Sequence, residues 1–182
     1  MVSADVVEAR AAGESPERYV CRVALDKARA AVGVLRPDWS RPVLAADTAV
    51  VLDGQCLGKP ANRQDALALL GQLSGRTHRV LSGIALVAAD GSEATALSES
   101  LVRFRAIGRD EAIAYWDTGE PTDKAGGYGI QGIGALFVAD LRGSYSGVMG
   151  LPLFETACLL EQAGISVLPL AAARLSSQKV SE

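Results

Sequence analysis

Residues 43–52, VLAADTAVVL, form an almost unbroken apolar run closed by Asp53-Gly54. Such a run reads as a strand covered on both faces, as in a sheet buried between layers. One residue breaks it. Asp47 sets a carboxylate among Val, Leu and Ala, and an ionised carboxylate buried without a partner is very costly, so it must meet a cation, a metal or a cleft. Asp47 is then either an aspartate hydrogen-bonded to a neighbouring loop or a functional group, a metal ligand or a base.

On the N-terminal side, Ser15 as N-cap and Pro16 at the first helical position open a helix that runs to about Ala31, with an apolar stripe of Tyr19, Val20, Val23, Ala24, Ala28 and Ala31. On the C-terminal side the spacing predicts a helix over Gln64–Leu73, a strand in HRVLSGIALVAAD (78–90) and a second strand over Ser98–Ala106, where apolar residues alternate with Arg103 and Arg105. A short helix follows over Arg109–Thr118, then an aperiodic glycine-rich loop, GEPTDKAGGYGIQGIG (119–134), a strand over Ala135–Leu141, a helix over Pro152–Ala163 and a last strand over Ile165–Leu170. Helices alternating with strands through mixed connections predict an α/β domain. No repeat or linker divides the chain, so residues 1–170 read as one domain and 171–182 as a frayed, flexible tail.

Composition narrows the function. With 182 residues, 49% hydrophobic and 21% charged, the chain can bury about 70% of its unfolded surface without disulfides or a structural metal. Its 18 basic and 21 acidic residues argue against holding long nucleic acid through phosphate neutralisation. Cys21, Cys56 and Cys158 are odd in number and form no CxxC pair, which points to reduced thiols in a cytosol rather than a disulfide framework or zinc site. No apolar run reaches the roughly 20 residues that span a bilayer, and MVSADVVEAR lacks the order of a signal peptide. A soluble cytoplasmic protein is expected.

Few other residues depart from the structural pattern. Lys59, in LGKP, is aimed by a glycine and a proline; it is either a ligand contact or a solvated loop lysine. Lys27 borders the helix stripe, where a lysine stem commonly lies along apolar surface. Gly127–Gly132 matches GxGxxG, yet DKAG precedes it and a strand-like run follows, so the dinucleotide fingerprint fails; GQCLGKP likewise fails as a phosphate-binding P-loop. The loop does offer backbone amides, Asp123, Lys124 and the two-way amide of Gln131, which can read a nucleobase edge or tie a turn. His78, at a strand start, reads as structural, and no nucleophile elbow is present.

In order, DVVE with GESPERYVCRVALDKA, AADTAVVLDGQCLGKPANRQDALALLGQLSGRTHRV and GEPTDKAGGYGIQGIGALFVADLRGSYSGVMGLPL resemble the Maf family of nucleoside triphosphate pyrophosphatases, over most of the chain. The resemblance implies an elongated mixed sheet flanked by helices, similar to the inosine triphosphatases, with a cleft between two lobes. It implies hydrolysis of a nucleoside triphosphate to monophosphate and pyrophosphate by metal-assisted attack of water, as house-cleaning of nucleotide pools. Asp47 matches the proton acceptor; Glu8 and Asp47 would bind a divalent cation, Mg²⁺ or Mn²⁺; Lys27, Lys59 and Lys124 match phosphate-facing positions. Thr48 and Gln131 match the branch acting on dTTP and UTP rather than on 7-methyl-GTP. The implied partner is a small nucleotide, with no long nucleic acid or membrane, and a homodimer is a candidate assembly. Relative to the family the chain is expected to be N-terminally truncated, lacking a first strand and an SxSPRR loop; that makes a catalytically impaired nucleotide-binding or regulatory protein the second reading and a 7-methyl-GTP pyrophosphatase the third.

Overall fold

The computed structural model describes residues 6–35 and 40–168. Its centre is a five-stranded sheet in the order β2-β1-β3-β4-β5, where β1 is Val43–Leu52, β2 Gln55–Leu57, β3 Thr77–Val87, β4 Glu93–Phe104 and β5 Val138–Arg142. The α/β fold is as expected; every pairing among the described residues is antiparallel, where the resemblance implies a mixed sheet. The physical reason lies in the connections. Asp53 and Gly54 both take positive φ, 50° and 76°, the two-residue turn whose twist suits a tight hairpin, and β2 leaves it antiparallel to β1. The helix α2, Arg63–Leu73, then returns the chain to the other side of β1, and the β3–β4 hairpin adds the next strand.

Helix α1, Pro16–Val34, opens as expected: the Ser15 side chain accepts from the Arg18 N–H and Pro16 starts the first turn. Val20, Val23, Ala24, Ala28 and Ala31 are buried and Tyr19 is half-buried. The stripe packs on the face of β1 that carries the odd-numbered residues, with Ala49 and Val51 meeting Val20, and Val43 and Ala45 meeting Ala24 and Ala28. The opposite face is covered at one end by α5, Leu153–Gln162, through Leu159 on Ile84 and Leu86. At its other end a larger core gathers Val50, Leu52, Val80, Val102 and Phe104 with Leu70 and Leu73 of α2 and with Ala112 and Tyr115 of α3, Arg109–Asp117.

Several expected boundaries shift. Strand β4 begins at Glu93 rather than Ser98, because its partner β3 is long enough to pair back to Val87. Of the strand expected over Ala135–Leu141, the first part is a 3₁₀ turn, Ile133–Phe137, that drops Phe137 into the aromatic core before β5 begins. The glycine-rich segment also holds short 3₁₀ turns, Glu120–Asp123 and Ala125–Gly127. In the region of the expected last strand, residues 165–168 form no strand; its remainder, and the tail at 171–182, lie outside the described residues. The short helix α4, Tyr145–Val148, was not anticipated.

Candidate active site

Strand β2 pairs only with Val50–Leu52 of β1, which leaves residues 43–49 as a free edge among the described residues. Along that edge runs a cleft of about 640 Å³ whose lining includes Glu8, Lys27, Asp47, Thr48, Lys59, Lys124 and Gln131. All seven residues singled out in the sequence therefore reach one place, although they come from the N-terminal segment, α1, β1, the loop after β2 and the glycine-rich loop.

A β-strand turns successive side chains to opposite faces, so Asp47 and Thr48 reach the cleft from opposite sides of the sheet. Asp47 points to the α1 face. Lys27 Nζ donates to Asp47 Oδ1 at 2.7 Å and makes an ion pair with Glu8 Oε1 at 2.6 Å. Tyr19 holds Glu8 in reach by donating its hydroxyl to the Glu8 carbonyl at 3.1 Å. Burial pushes the Asp47 carboxyl above its ordinary range; the hydrogen bond and charge of Lys27 oppose this without cancelling it, and Glu8 adds a further upward push. Burial pulls the Lys27 ammonium down, but its hydrogen bonds to Asp47 and Glu8 more than reverse this, so it stays charged. The result is a carboxylate more basic than a solvated one beside a fixed cation.

Thr48 points the other way, toward Ser82, its register partner on β3. Ser82 Oγ donates to the Gly147 carbonyl at 2.6 Å, and Thr48 Oγ1 lies 2.7 Å from Ser82 Oγ. A hydroxyl has one proton. Ser82 has committed its own to Gly147, so Thr48 donates to Ser82 and turns only lone pairs to the cleft. Lys59 and Gln131 are exposed at the rim, and Lys124 is half-buried and paired with Asp123 at 2.7 Å.

One oxygen each of Glu8 and Asp47 meets on the Lys27 ammonium, so the two carboxylates lie side by side at the cleft. Among the described residues no group of three or more His, Cys, Asp or Glu side chains could hold a metal ion. A two-carboxylate donor set fits a hard divalent cation of the Mg²⁺ type, which usually binds protein through one or two carboxylates and completes its shell with water and phosphate oxygens.

His78 does not line the cleft. It is 2% exposed, its Nε2 is 2.8 Å from the Tyr128 hydroxyl, and it stands edge-on to the rings of Phe104 and Tyr128. Burial pushes its imidazole down to about 4, so it is a neutral core residue. Sequence reading missed Ser82, Gly83, Tyr19 and Glu120. A signal for the first two was present: Ser82-Gly83 interrupts an apolar strand directly opposite Asp47-Thr48.

This arrangement can be set against known proteins. The chain matches the family described as Maf-like protein over residues 1–163. It belongs to the Maf family. Among relatives of this Maf protein, the dTTP/UTP pyrophosphatase of Alkalilimnicola ehrlichii is 59% identical over 152 residues, 82% of this chain and 74% of the relative. The protein of the same name from Aromatoleum aromaticum is 56% identical over 168 residues, 88% of this chain and 79% of the relative. That of Saccharophagus degradans is 52% identical over 163 residues, 88% and 77% respectively. In the Maf protein described here, no helix among the described residues is long and apolar enough to cross a membrane.

Proposed function

We propose that this Maf protein hydrolyses dTTP and UTP to the monophosphate and pyrophosphate. The observation that carries the reading is the pair Asp47-Thr48 on a strand edge left open among the described residues: consecutive residues offer a basic carboxylate on one face and an obligate hydrogen-bond acceptor on the other. A nucleotide lying across the edge would meet the carboxylate with its phosphates and the acceptor with its base.

Asp47 takes a proton from water as the water attacks the α-phosphorus. A new P–O bond forms there, the bond to the bridging oxygen breaks, and pyrophosphate leaves with that oxygen. Lys27 fixes Asp47 and, with Lys59 and Lys124, faces the negative charge of the triphosphate. Glu8 and Asp47 would hold a divalent cation, Mg²⁺ or Mn²⁺, which when bound supplies further charge neutralisation on the phosphate oxygens. On the other face, thymine and uracil carry one ring donor, N3–H, flanked by two carbonyl acceptors. The Thr48 lone pairs suit the donor and the Gln131 amide can donate to a carbonyl. We assign the enzyme to the cytoplasm, in nucleotide-pool house-cleaning, a placement supported by its three free cysteines.

Asp47→Asn tests the reading. It keeps the size of the side chain and removes its basicity. Pyrophosphate release from dTTP and UTP should fall by about 10²–10⁴-fold with the melting curve retained. Full activity of the variant, or a wild-type preference for 7-methyl-GTP or purine triphosphates in the same assay, would refute it.

A further inference from the structure

Gln131 sits in a loop, Gly129 to Gly134, that is anchored by a carboxylate as well as by Ile130, which is buried in the aromatic core. Glu120 Oε2 accepts from the Ile133 N–H at 2.8 Å; Oε1 accepts from the Gly134 N–H at 3.0 Å and from the Tyr115 hydroxyl at 2.7 Å. The Tyr115 oxygen in turn accepts from the Gly129 N–H at 3.1 Å. Both flanks of Gln131 are thereby pinned to one Glu–Tyr pair, and the Gly132 N–H closes the loop on the Gly129 carbonyl at 3.2 Å.

The glycine spacing is the imprint of that pair. A Cβ at Gly132 would overlap Glu120 Oε2, one at Gly134 would lie 2.6 Å from the Tyr115 hydroxyl, and one at Gly129 would lie 3.0 Å from Glu120 Oε1 and 2.8 Å from Lys124 Cε. In glycine loops that cradle phosphate, backbone amides converge on an external anion; here an internal carboxylate takes that place. Burial alone would raise Glu120, but the Gly134 N–H, the Tyr115 hydroxyl and the Ile133 N–H outweigh it and hold the group ionised.

We infer that Glu120, with Tyr115, is a positioning residue for base recognition: it holds the loop backbone so that the exposed Gln131 side chain starts from a fixed place at the cleft before the nucleotide arrives. This rests on the nucleotide reading above. Ordering a loop on binding costs affinity, and a loop ordered in advance avoids that cost. Loss of the staple should therefore appear in KM rather than in kcat.

The test is Glu120→Gln, which keeps the shape but turns an NH₂ group toward backbone donors. We expect hydrogen exchange across 129–134 to quicken about tenfold and KM for UTP to rise about tenfold, with kcat within about threefold. In a Gln131→Ala background, Glu120→Gln should raise KM no further, because the side chain it positions is gone. Tyr115→Phe, which keeps the buried ring, should loosen the Gly129 flank in the same exchange experiment and serves if the first variant folds poorly. Unchanged exchange in both variants would overturn the staple, and an equal KM increase with and without Gln131 would overturn its link to that residue. Wild type that releases no pyrophosphate from dTTP or UTP would refute the nucleotide reading, while exchange would still decide the staple.

Discussion

Replacing Gly83 by Ala adds one methyl group where α1 and β3 have no room for it. A Cβ built there lies 2.6 Å from the carbonyl carbon and oxygen of Val20 and 2.7 Å from the Cys21 nitrogen. All three are backbone atoms, so no side chain can swing aside. Ordinary carbon contacts fall at about 3.5–4.0 Å, so α1 would have to retreat by roughly 1 Å, and a gap of that size forfeits about a quarter to a half of each contact. The contacts at stake are those of Val20, Val23, Ala24 and Ala28, each 0% exposed. Overpacking of this kind costs about 1–3 kcal/mol, and with backbone on both sides we expect the upper end. For a domain of this size that is a fall in Tm of about 6–12 °C, read by circular dichroism. The cost is steric only, since Gly83 is not among the glycines with positive φ. Gly71 is the control: it is exposed in α2 with nothing within 4 Å, and Gly71→Ala should stabilise by about 0.5–1 kcal/mol. Activity gives a second readout. Gly83 faces Asp47 in the sheet, and Lys27 lies about two turns beyond Val20 on the same face of α1. Retreat of the helix stretches the 2.7 Å Lys27–Asp47 bond, and a 1 Å misplacement can lower turnover by about 10². A Gly83→Ala protein that melts within about 1 °C of the parent would refute the seating of α1 on β3 and with it this account of how Lys27 is placed.

Acid should destabilise the fold through His78. Its folded pKa, about 4, lies below the ordinary value, so between the two the unfolded chain binds more protons and stability falls with pH. The contribution is complete above about 6.5 and diminishes by up to about 3 kcal/mol as the pH drops to about 4. Glu14, Glu17 and Glu111, each held at about 2 by arginine and backbone donors, add their own loss only below about 4.5. Urea midpoints from pH 7 to 5, compared between the parent and His78→Gln, read the histidine's share, and an unchanged slope in the variant would contradict the assignment. At the base end, Thr48→Val keeps the shape and removes the acceptor; KM for UTP should rise about tenfold with kcat within about threefold. Steady-state kinetics decide it, and an effect confined to kcat would place Thr48 in the chemistry instead.

Most helices were legible because their signals are local. Ser15-Pro16 and a 3.6-residue stripe suffice to place α1, and apolar spacing places α2 to within one residue of its start at Arg63. Apolar runs were less informative. A run such as ALFVADL does not separate a 3₁₀ turn from a strand, and the decision came from Phe137 seating among Tyr115 and Phe104. Parallel and antiparallel pairing of a buried strand share one hydrophobic pattern, so the connections alone decided it.

For the site, the sequence by itself determined which residues are out of place: a carboxylate in an apolar strand, with a hydroxyl beside it that strand periodicity sends to the other face. Those facts follow from residues next to one another in the chain. Tertiary structure decided the rest. Whether Lys27 merely borders a helix or clamps Asp47 depends on the close approach that Gly83 permits across 56 residues of chain separation, counted from 83 − 27. Whether Thr48 donates or accepts depends on where Ser82 sends its single proton. Whether a glycine pattern cradles phosphate or encloses Glu120 depends on which anion occupies it. Each is a question of what a polar group meets across space, and local periodicity carries no record of that.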